Sequence, residues 1–291
     1  MKCDAVLVHY GPTGPTVKVA LEAAEWAAEV FVVANDLSDR PADLPALVNW
    51  IIPERNLGFG GAFNLGASHG KSELVAVLNN DIELAMEAIE SCIREFEKDT
   101  AVAVAGPVLY YPNGAVQSSA GVFSWLTGWP VARRPAPTRA IDCDWLTGAV
   151  MVVRRSYWAV CPMDETYFLG CEDADYCVRA RRLGCRVVAV PVTGAIHYTA
   201  TVISGPRWHY YYARNHLWFS RANSPVLKHF FLVVLLLLRT CRVSVADLLR
   251  RRGFLRSKSM LIGVWDGFRP KPEYGNGPLA DEPVPASWME W

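Results

Sequence analysis

Four stretches of the 291-residue chain carry side chains or a backbone suited to chemistry on a phosphorylated or hydroxylic substrate. Asn79-Asn80-Asp81 follows an apolar run, Leu74–Leu78. A carboxylate at the carboxyl end of a buried strand is fixed in position. It offers the hard oxygen ligand that Mn2+ and Mg2+ prefer, next to substrate phosphates; the same triplet also makes a good turn. Gly170-Cys171-Glu172-Asp173-Ala174-Asp175 sets three acids in four positions ahead of a helix. Helix capping uses one or two of them, and a carboxylate placed to take a proton from a hydroxyl is what a general base requires. Arg179, one turn beyond Asp175, can hold that acid as an i, i+4 pair. His197 follows a strand and a turn, where a neutral imidazole can complete a metal shell or serve the structure alone. Asn56–Gly66 is glycine-rich and enters a helix, so backbone N–H groups and a helix N-terminus can approach a nucleotide phosphate. It has neither the Walker GK[ST] ending nor the GxGxxG spacing, and a glycine turn made for tight packing is the other reading.

The elements that position these residues alternate in type. Ala5–Val8, Val30–Ala34, Trp50–Ile52, Leu74–Leu78 and Ala101–Ala105 are short continuous apolar runs. Between them the spacing predicts helices from Thr16, as a cap, to about Ala28, and over Ala85–Lys98. Such alternation implies an α/β fold with a mainly parallel sheet covered on both faces. Ligands gather beyond the carboxyl ends of strands in these sheets, which directs attention to Asn35–Asp36, Asn56 and Asn79–Asp81. From Pro107 to Val153 turns and aromatic residues suggest added β-hairpins, with Tyr111-Pro112-Asn113-Gly114 as a turn. A helix from about Asp173 to Leu183, closed by Gly184, precedes a strand at Arg186–Val190.

Composition narrows the class. Twenty-nine basic and 29 acidic residues leave no net charge, so bulk attraction to nucleic acid is not expected. Eight scattered cysteines with no CxxC pair give no support to a structural zinc site and suit free thiols in a reducing cytoplasm. No N-terminal stretch has the character of a signal peptide. Phe230–Leu238 is apolar but far shorter than the ~20 residues needed to span a bilayer, and a basic stretch follows from Arg239 to Lys258. A hydrophobic helix followed by a basic amphipathic one suits either contact with an anionic membrane surface or packing on the core. The expected organisation is a catalytic domain over 1–222, a helical region over 223–270, and an extended tail over 271–291.

Together these segments resemble the family 2 inverting glycosyltransferases of the GT-A fold, particularly bacterial rhamnosyltransferase-like members. The resemblance covers about residues 3–270. It is carried by Val6–Gly11, Val32–Asp39, Asn56–Gly66, Leu78–Asp81, Trp145–Arg155, Phe168–Arg182, Pro191–His197 and the Tyr210–Asn215 segment, YYYARN. It implies a nucleotide-diphospho-sugar transferase fold, a nucleotide-sugar donor with thymidine or uridine base, and Mn2+ or Mg2+ as cofactor. Asp81 would be the metal-binding acid of a DxD-like motif lacking its first acid, and His197 the second protein ligand. Asp173 would be the base, with Glu172 and Asp175 organising acceptor and loop. Asn35, Asn56, Gly58 and Asn64 would line the nucleoside pocket, and Trp145, Thr147, Gly148 and Ala149 the sugar pocket. His9, Tyr10, Asp36, Phe59, Ala62, Asn79 and Asn80 complete the implied donor-binding set. The family places an acid where this chain has Ala34; Asp36 or Asp39 can substitute, which leaves the donor base open.

The resemblance implies transfer of rhamnose or a related hexose to a glycan or polyprenyl-linked acceptor in cell-wall or surface-polysaccharide assembly. The expected location is the cytoplasm, peripheral on the inner membrane face. A soluble small-molecule acceptor, a sugar nucleotidyltransferase and a degenerate membrane-bound scaffold are the competing readings. Tyr10–Val17 lacks the basic residue a nucleotidyltransferase needs near its first strand, and a scaffold has no use for the acidic cluster.

Overall fold

A computed structural model describes residues 1–133, 135–198, 205–250 and 253–271. The expected tail and Arg251–Arg252 of the basic stretch lie outside the described residues. In chain order the elements begin with β1 (Cys3–His9), α1 (Thr13–Ala24), β2 (Val30–Ala34), β3 (Val48–Ile51) and α2 (Gly58–His69). Next come β4 (Leu74–Asn79), β5 (Ile82–Leu84), α3 (Met86–Lys98), β6 (Val102–Pro107), β7 (Leu109–Tyr110) and β8 (Val116–Ser118). Then follow β9 (Gly121–Phe123), β10 (Pro130–Ala132), β11 (Ile141–Asp142), β12 (Val150–Arg154) and α4 (Arg155–Val160). After these come α5 (Glu172–Arg182), β13 (Arg186–Val190), β14 (Ala195–His197), α6 (Pro206–Asn223), α7 (Val226–Leu249) and α8 (Leu255–Phe268).

The eight-stranded sheet runs β11-β13-β6-β12-β4-β1-β2-β3. Its buried strands are continuous apolar runs because both faces are covered, and alternate side chains enter different cores. Ala5 and Leu7 of β1, Val30 and Val32 of β2, and Ala76 and Leu78 of β4 join one core. Val6, Phe31, Val33, Val75 and Val77 join the other. The pairings β1–β2, β1–β4, β2–β3 and β6–β13 are parallel. The sheet is nevertheless mixed: β12 lies antiparallel between β4 and β6, and β11 antiparallel to β13. That reversal matters for function. Val150 pairs with Leu78, so the loop entering β12 stands at the carboxyl end of β4.

A second sheet, β5-β14-β7-β8, pairs His197 with Ile82 and Ile196 with Tyr110. The Tyr111–Gly114 turn connects β7 to β8, Gly114 taking φ +80° and donating its amide to Tyr111. The first helix starts at Thr13, so Thr16 is a buried residue within α1 and not its cap.

The chain divides into two units. One comprises Met1–Val122, Ala132–Asp164 and Glu172–Val202; the other comprises Phe123–Val131, Glu165–Cys171 and everything from Ile203. Helix α6 thus groups with α7 and α8, and Ala213, Leu217, Leu232, Leu236, Met260 and Val264 form the core of that unit. The expected pair of helices, one hydrophobic and one basic, is corrected here, because Phe230–Leu238 and Arg239–Leu249 lie in the single helix α7. Arg239 does not break it: its guanidinium lies 4.3 Å from the Tyr212 ring centroid and donates to the Tyr212 hydroxyl at 2.7 Å.

Candidate active site

Strand β4 delivers Asn79 to its carboxyl end and leads directly into Asn80 and Asp81, while β14 brings His197 beside them. His197 Nε2 lies 3.2 Å from Asp81 Oδ1 and 3.3 Å from Asn79 Nδ2. On the other side of the ring, Nδ1 lies 3.0 Å from Gln117 Oε1. With the proton on Nδ1 donated to Gln117, Nε2 presents its lone pair toward Asp81. An imidazole lone pair and a carboxylate oxygen at this separation suit a shared cation, and the Gln117 contact is the outer partner that metal-bound histidines use. The pair therefore fits a hard divalent ion. Among the described residues no group of three His, Cys, Asp or Glu forms a metal cage, as expected of an ion whose other ligands are phosphate oxygens and water.

Asp173 belongs to the first turn of α5, where the helix dipole favours a negative charge. The Gly148 amide donates to its Oδ2 at 3.0 Å and the Ala174 amide to its Oδ1 at 2.7 Å. Each oxygen keeps a lone pair for a further donor. Burial pushes the Asp173 carboxyl above the usual carboxylate range, opposed by those amides. A Cβ on Gly148 would stand 2.8 Å from the Phe59 ring, so glycine lets the loop lie against Phe59 and Asp173 together. The neighbouring Trp145 donates its indole N–H to Val122 at 3.2 Å, and the Asn79 amide donates to the Ala149 carbonyl at 2.9 Å. Residues 145–149 and Asp173 are thereby tied to the end of β4.

The other two acids differ from Asp173. Asp175 is buried and pairs with Arg179 at 2.7 Å, while Arg179 donates to the Pro162 carbonyl at 2.9 Å. This is the i, i+4 alternative realised, with Asp175 locking α5 to the chain before it. Glu172 is also buried, its Cβ facing Gly60.

The glycine-rich segment is held by asparagines. Asn35 accepts from the Leu57 amide at 2.8 Å and donates to the Gly58 carbonyl at 2.9 Å. Asn56 accepts from the Gly58 amide at 2.9 Å, and Gly58 itself takes φ +71°. Asn64 brackets Met163 by donating to its carbonyl at 2.8 Å and accepting from its amide at 3.0 Å. These amides brace the loop. The glycines also serve packing, since a Cβ at Gly66 would collide with Val6 of β1, while Ala62 is fully buried beneath the loop.

At the ends of β1 and β2, His9 is wholly buried, with Nδ1 2.6 Å from the Thr16 hydroxyl and Nε2 3.5 Å from Asp36. Burial pushes its pKa below the usual imidazole value, against the pull of Asp36. Asn80 donates to the Tyr10 carbonyl at 3.3 Å and to Thr16 at 3.2 Å. Thr16 and Gln117 are two site residues that the sequence reading missed. Their signal, one hydroxyl inside a helix and one amide in a three-residue strand, is local only in three dimensions. Asp36 accepts from Gly11, Ser38 and the Ser38 hydroxyl. Burial works to raise its pKa, but those hydrogen bonds prevail and hold the carboxyl below its ordinary value. Ala34 is fully buried in β2, whereas Asp36 keeps partial access to solvent.

In the second unit, Asn215 Nδ2 lies 2.8 Å from the carbonyls of Tyr167, Leu169 and Gly170, which share its two N–H bonds. Arg214 donates to Tyr167 at 2.9 Å, and its guanidinium lies 4.3 Å from the Trp218 ring centroid. The bracketed turn contains two non-glycine residues in the left-handed region, Phe168 at φ +64° and Cys171 at +74°. Such positions persist where surrounding bonds over-determine them, and the next residue in the chain is Glu172.

Comparison with known proteins agrees with this architecture. The family model for glycosyl transferase family 2 matches residues 30–152. The chain is 28% identical over 234 residues to the N-acetylglucosaminyl-diphospho-decaprenol L-rhamnosyltransferase of Mycobacterium tuberculosis, covering 67% of this chain and 75% of that protein. It is 45% identical to the Escherichia coli K12 rhamnosyltransferase WbbL over 56 residues, 19% of this chain and 21% of that one. In fold it is similar to the Pyrobaculum calidifontis mannosyltransferase PcManGT, solved with GDP-Man and Mn2+. The TM-score is 0.56 and the identity 11%, over 91% of this chain and 86% of that one. The S. aureus TarS 1-349 structure matches with TM-score 0.50 at 15% identity, over 78% of this chain and 67% of that one. These likenesses support a family 2 assignment, and the chain is a glycosyltransferase of the GT-A fold.

Proposed function

We propose that this transferase moves rhamnose or a related hexose from a dTDP- or UDP-sugar to a hydroxyl of a glycan on a polyprenyl diphosphate, with inversion at the anomeric carbon. The observation that carries this reading is the placement of Asp173. Its carboxylate is anchored to Gly148, in the loop tied to the end of β4, and Asn79-Asn80-Asp81 starts at that same end. Asp173 takes the proton of the acceptor hydroxyl as the oxygen attacks the anomeric carbon, and the sugar–phosphate bond breaks on the opposite face. Asp81 and His197 would hold Mn2+ or Mg2+ beside the donor. A cation bound there supplies positive charge to offset the leaving group.

His9, Tyr10, Asn35, Asp36, Asn56, Gly58, Phe59, Ala62, Asn64 and Asn80 form and brace the nucleoside side of the pocket. Asp36 takes the place of the missing acid at position 34. Trp145, Thr147, Gly148 and Ala149 shape the sugar side. The rhamnosyl donor and lipid-linked acceptor are supported by the name of the mycobacterial relative; the proposed setting is surface-glycan assembly at the cytoplasmic membrane face. The test is transfer from dTDP- and UDP-linked sugars with Mn2+ or Mg2+, with the product configuration read by NMR. A product of inverted configuration, lost in Asp173→Asn while nucleotide binding persists, is expected. A product with the donor's own configuration would overturn the mechanism.

A further inference from the structure

Helix α7 is apolar on two sides. Leu232 and Leu236 are buried, with Thr240 and Asp247 continuing the inner seam. On the opposite side Leu227, Phe230, Val234, Leu238, Val245 and Leu249 are all exposed, Leu249 by 78%. Their spacing keeps them on one stripe of a 3.6-residue helix. Helix α8 repeats the pattern. Its buried face carries Ser259, Met260 and Gly263, while Phe254, Leu261, Trp265 and Phe268 face outward, Trp265 exposed by 67%. An exposed apolar stripe of this length marks an interaction site.

The charges around it are of one sign. Over the described part of 226–271 there are eight Lys and Arg against Asp247 and Asp266. Asp247 is buried and paired with Arg256, and Asp266 pairs with Arg269, so neither acid is exposed. Arg242, Arg250 and Lys258 are exposed on the same helices. No described helix is long and apolar enough to cross a membrane.

We infer that α7 and α8 dock the protein on an anionic phospholipid bilayer, lying in the interface with Phe254, Trp265 and the α7 stripe in the acyl boundary. The basic residues meet lipid phosphates. A second copy fits less well, because apposing this face with itself would set Arg242 and Lys258 against their own kind with no exposed acid on these helices to answer them. The surface deepens the proposed function, naming where a lipid-linked acceptor is met.

The test is flotation of the full chain with vesicles of phosphatidylglycerol and phosphatidylcholine, and with phosphatidylcholine alone. Salt-sensitive binding to the anionic vesicles is expected. Arg242→Gln should weaken it about fivefold, and Val234→Glu with Val245→Glu should abolish it. Both sites are exposed, and an unchanged melting temperature would establish that the double variant folds. That variant should still transfer sugar to a detergent-dispersed acceptor. No binding to either vesicle would overturn the inference, as would loss of a wild-type dimer in the double variant, which assigns the face to a second copy. Because flotation needs neither donor nor acceptor, its outcome is independent of whether the transfer reading holds.

Discussion

The Gly148 amide and the Asp173 carboxylate are joined by a 3.0 Å hydrogen bond, which couples the 145–149 loop to the acid at the start of α5. Asp173→Asn keeps the size of the side chain and removes its capacity to accept a proton. Transfer should fall by about 10²–10⁴ in a steady-state assay, with nucleotide affinity by calorimetry unchanged. Retained transfer would remove Asp173 as the base.

The same acid makes a signed prediction about pH. Burial raises its folded pKa above the usual carboxylate range, so the ionised form is disfavoured by folding. The associated stability is present below the unfolded pKa and lost as pH rises through the folded one. Asp173→Asn should therefore melt higher than wild type at neutral pH, and the gap should close on acidification. Activity of the wild type should rise with pH through the same elevated pKa. Equal melting temperatures at neutral pH would contradict a buried, ionised Asp173.

Gln117 faces His197 Nδ1 at 3.0 Å, on the side of the ring away from Asp81. Gln117→Leu should weaken Mn2+ affinity about 10–100-fold, measured by titration in the presence of nucleoside diphosphate. Asp81→Ala should remove the metal-dependent part of that binding altogether. Metal-dependent donor affinity unchanged from wild type in both variants would rule out the Asp81–His197 pair as the cation site.

Asp175 is predicted to serve the fold. Removing it leaves Arg179, which is three-quarters covered, without its carboxylate partner. Asp175→Ala should lose on the order of 3 kcal/mol of stability by denaturant unfolding. Turnover per folded molecule should stay near wild type. A large loss of kcat with stability intact would instead place Asp175 in the chemistry.

Much of this was legible in the chain because burial on two faces leaves a mark that alternation does not. Leu74–Leu78 has no polar residue, and the carboxylate following it had to stand at a strand end. The reversed direction of β12 left no such mark, since Val150–Arg154 has the same composition whichever way it runs. Thr16 resembled a helix cap because its hydroxyl is the type that caps, and only the fold shows it bonded to His9 and Asn80. Helix α7 appeared divided at Arg239 because charge normally follows an apolar run into solvent. Here an aromatic ring receives the guanidinium, and the helix continues.

Asn215 satisfies three carbonyls of the turn that ends one residue before Glu172. Asn215→Ala removes a donor from the turn, with Arg214 still bonded to Tyr167, and loosens the restraint that holds Phe168 and Cys171 in their left-handed backbone. The acids that follow in sequence then lose part of their positional restraint, and misplacement of about 1 Å can cost ~10²-fold in rate. The variant should lower kcat strongly while leaving KM for the donor near wild type, because the loops 56–64 and 145–149, proposed to bind the donor, are braced by other residues. Asn215→Asp keeps an acceptor where a donor is needed, so it should fail to restore the rate. A rise in donor KM with kcat preserved would show that the turn serves nucleotide binding and not the placement of the base.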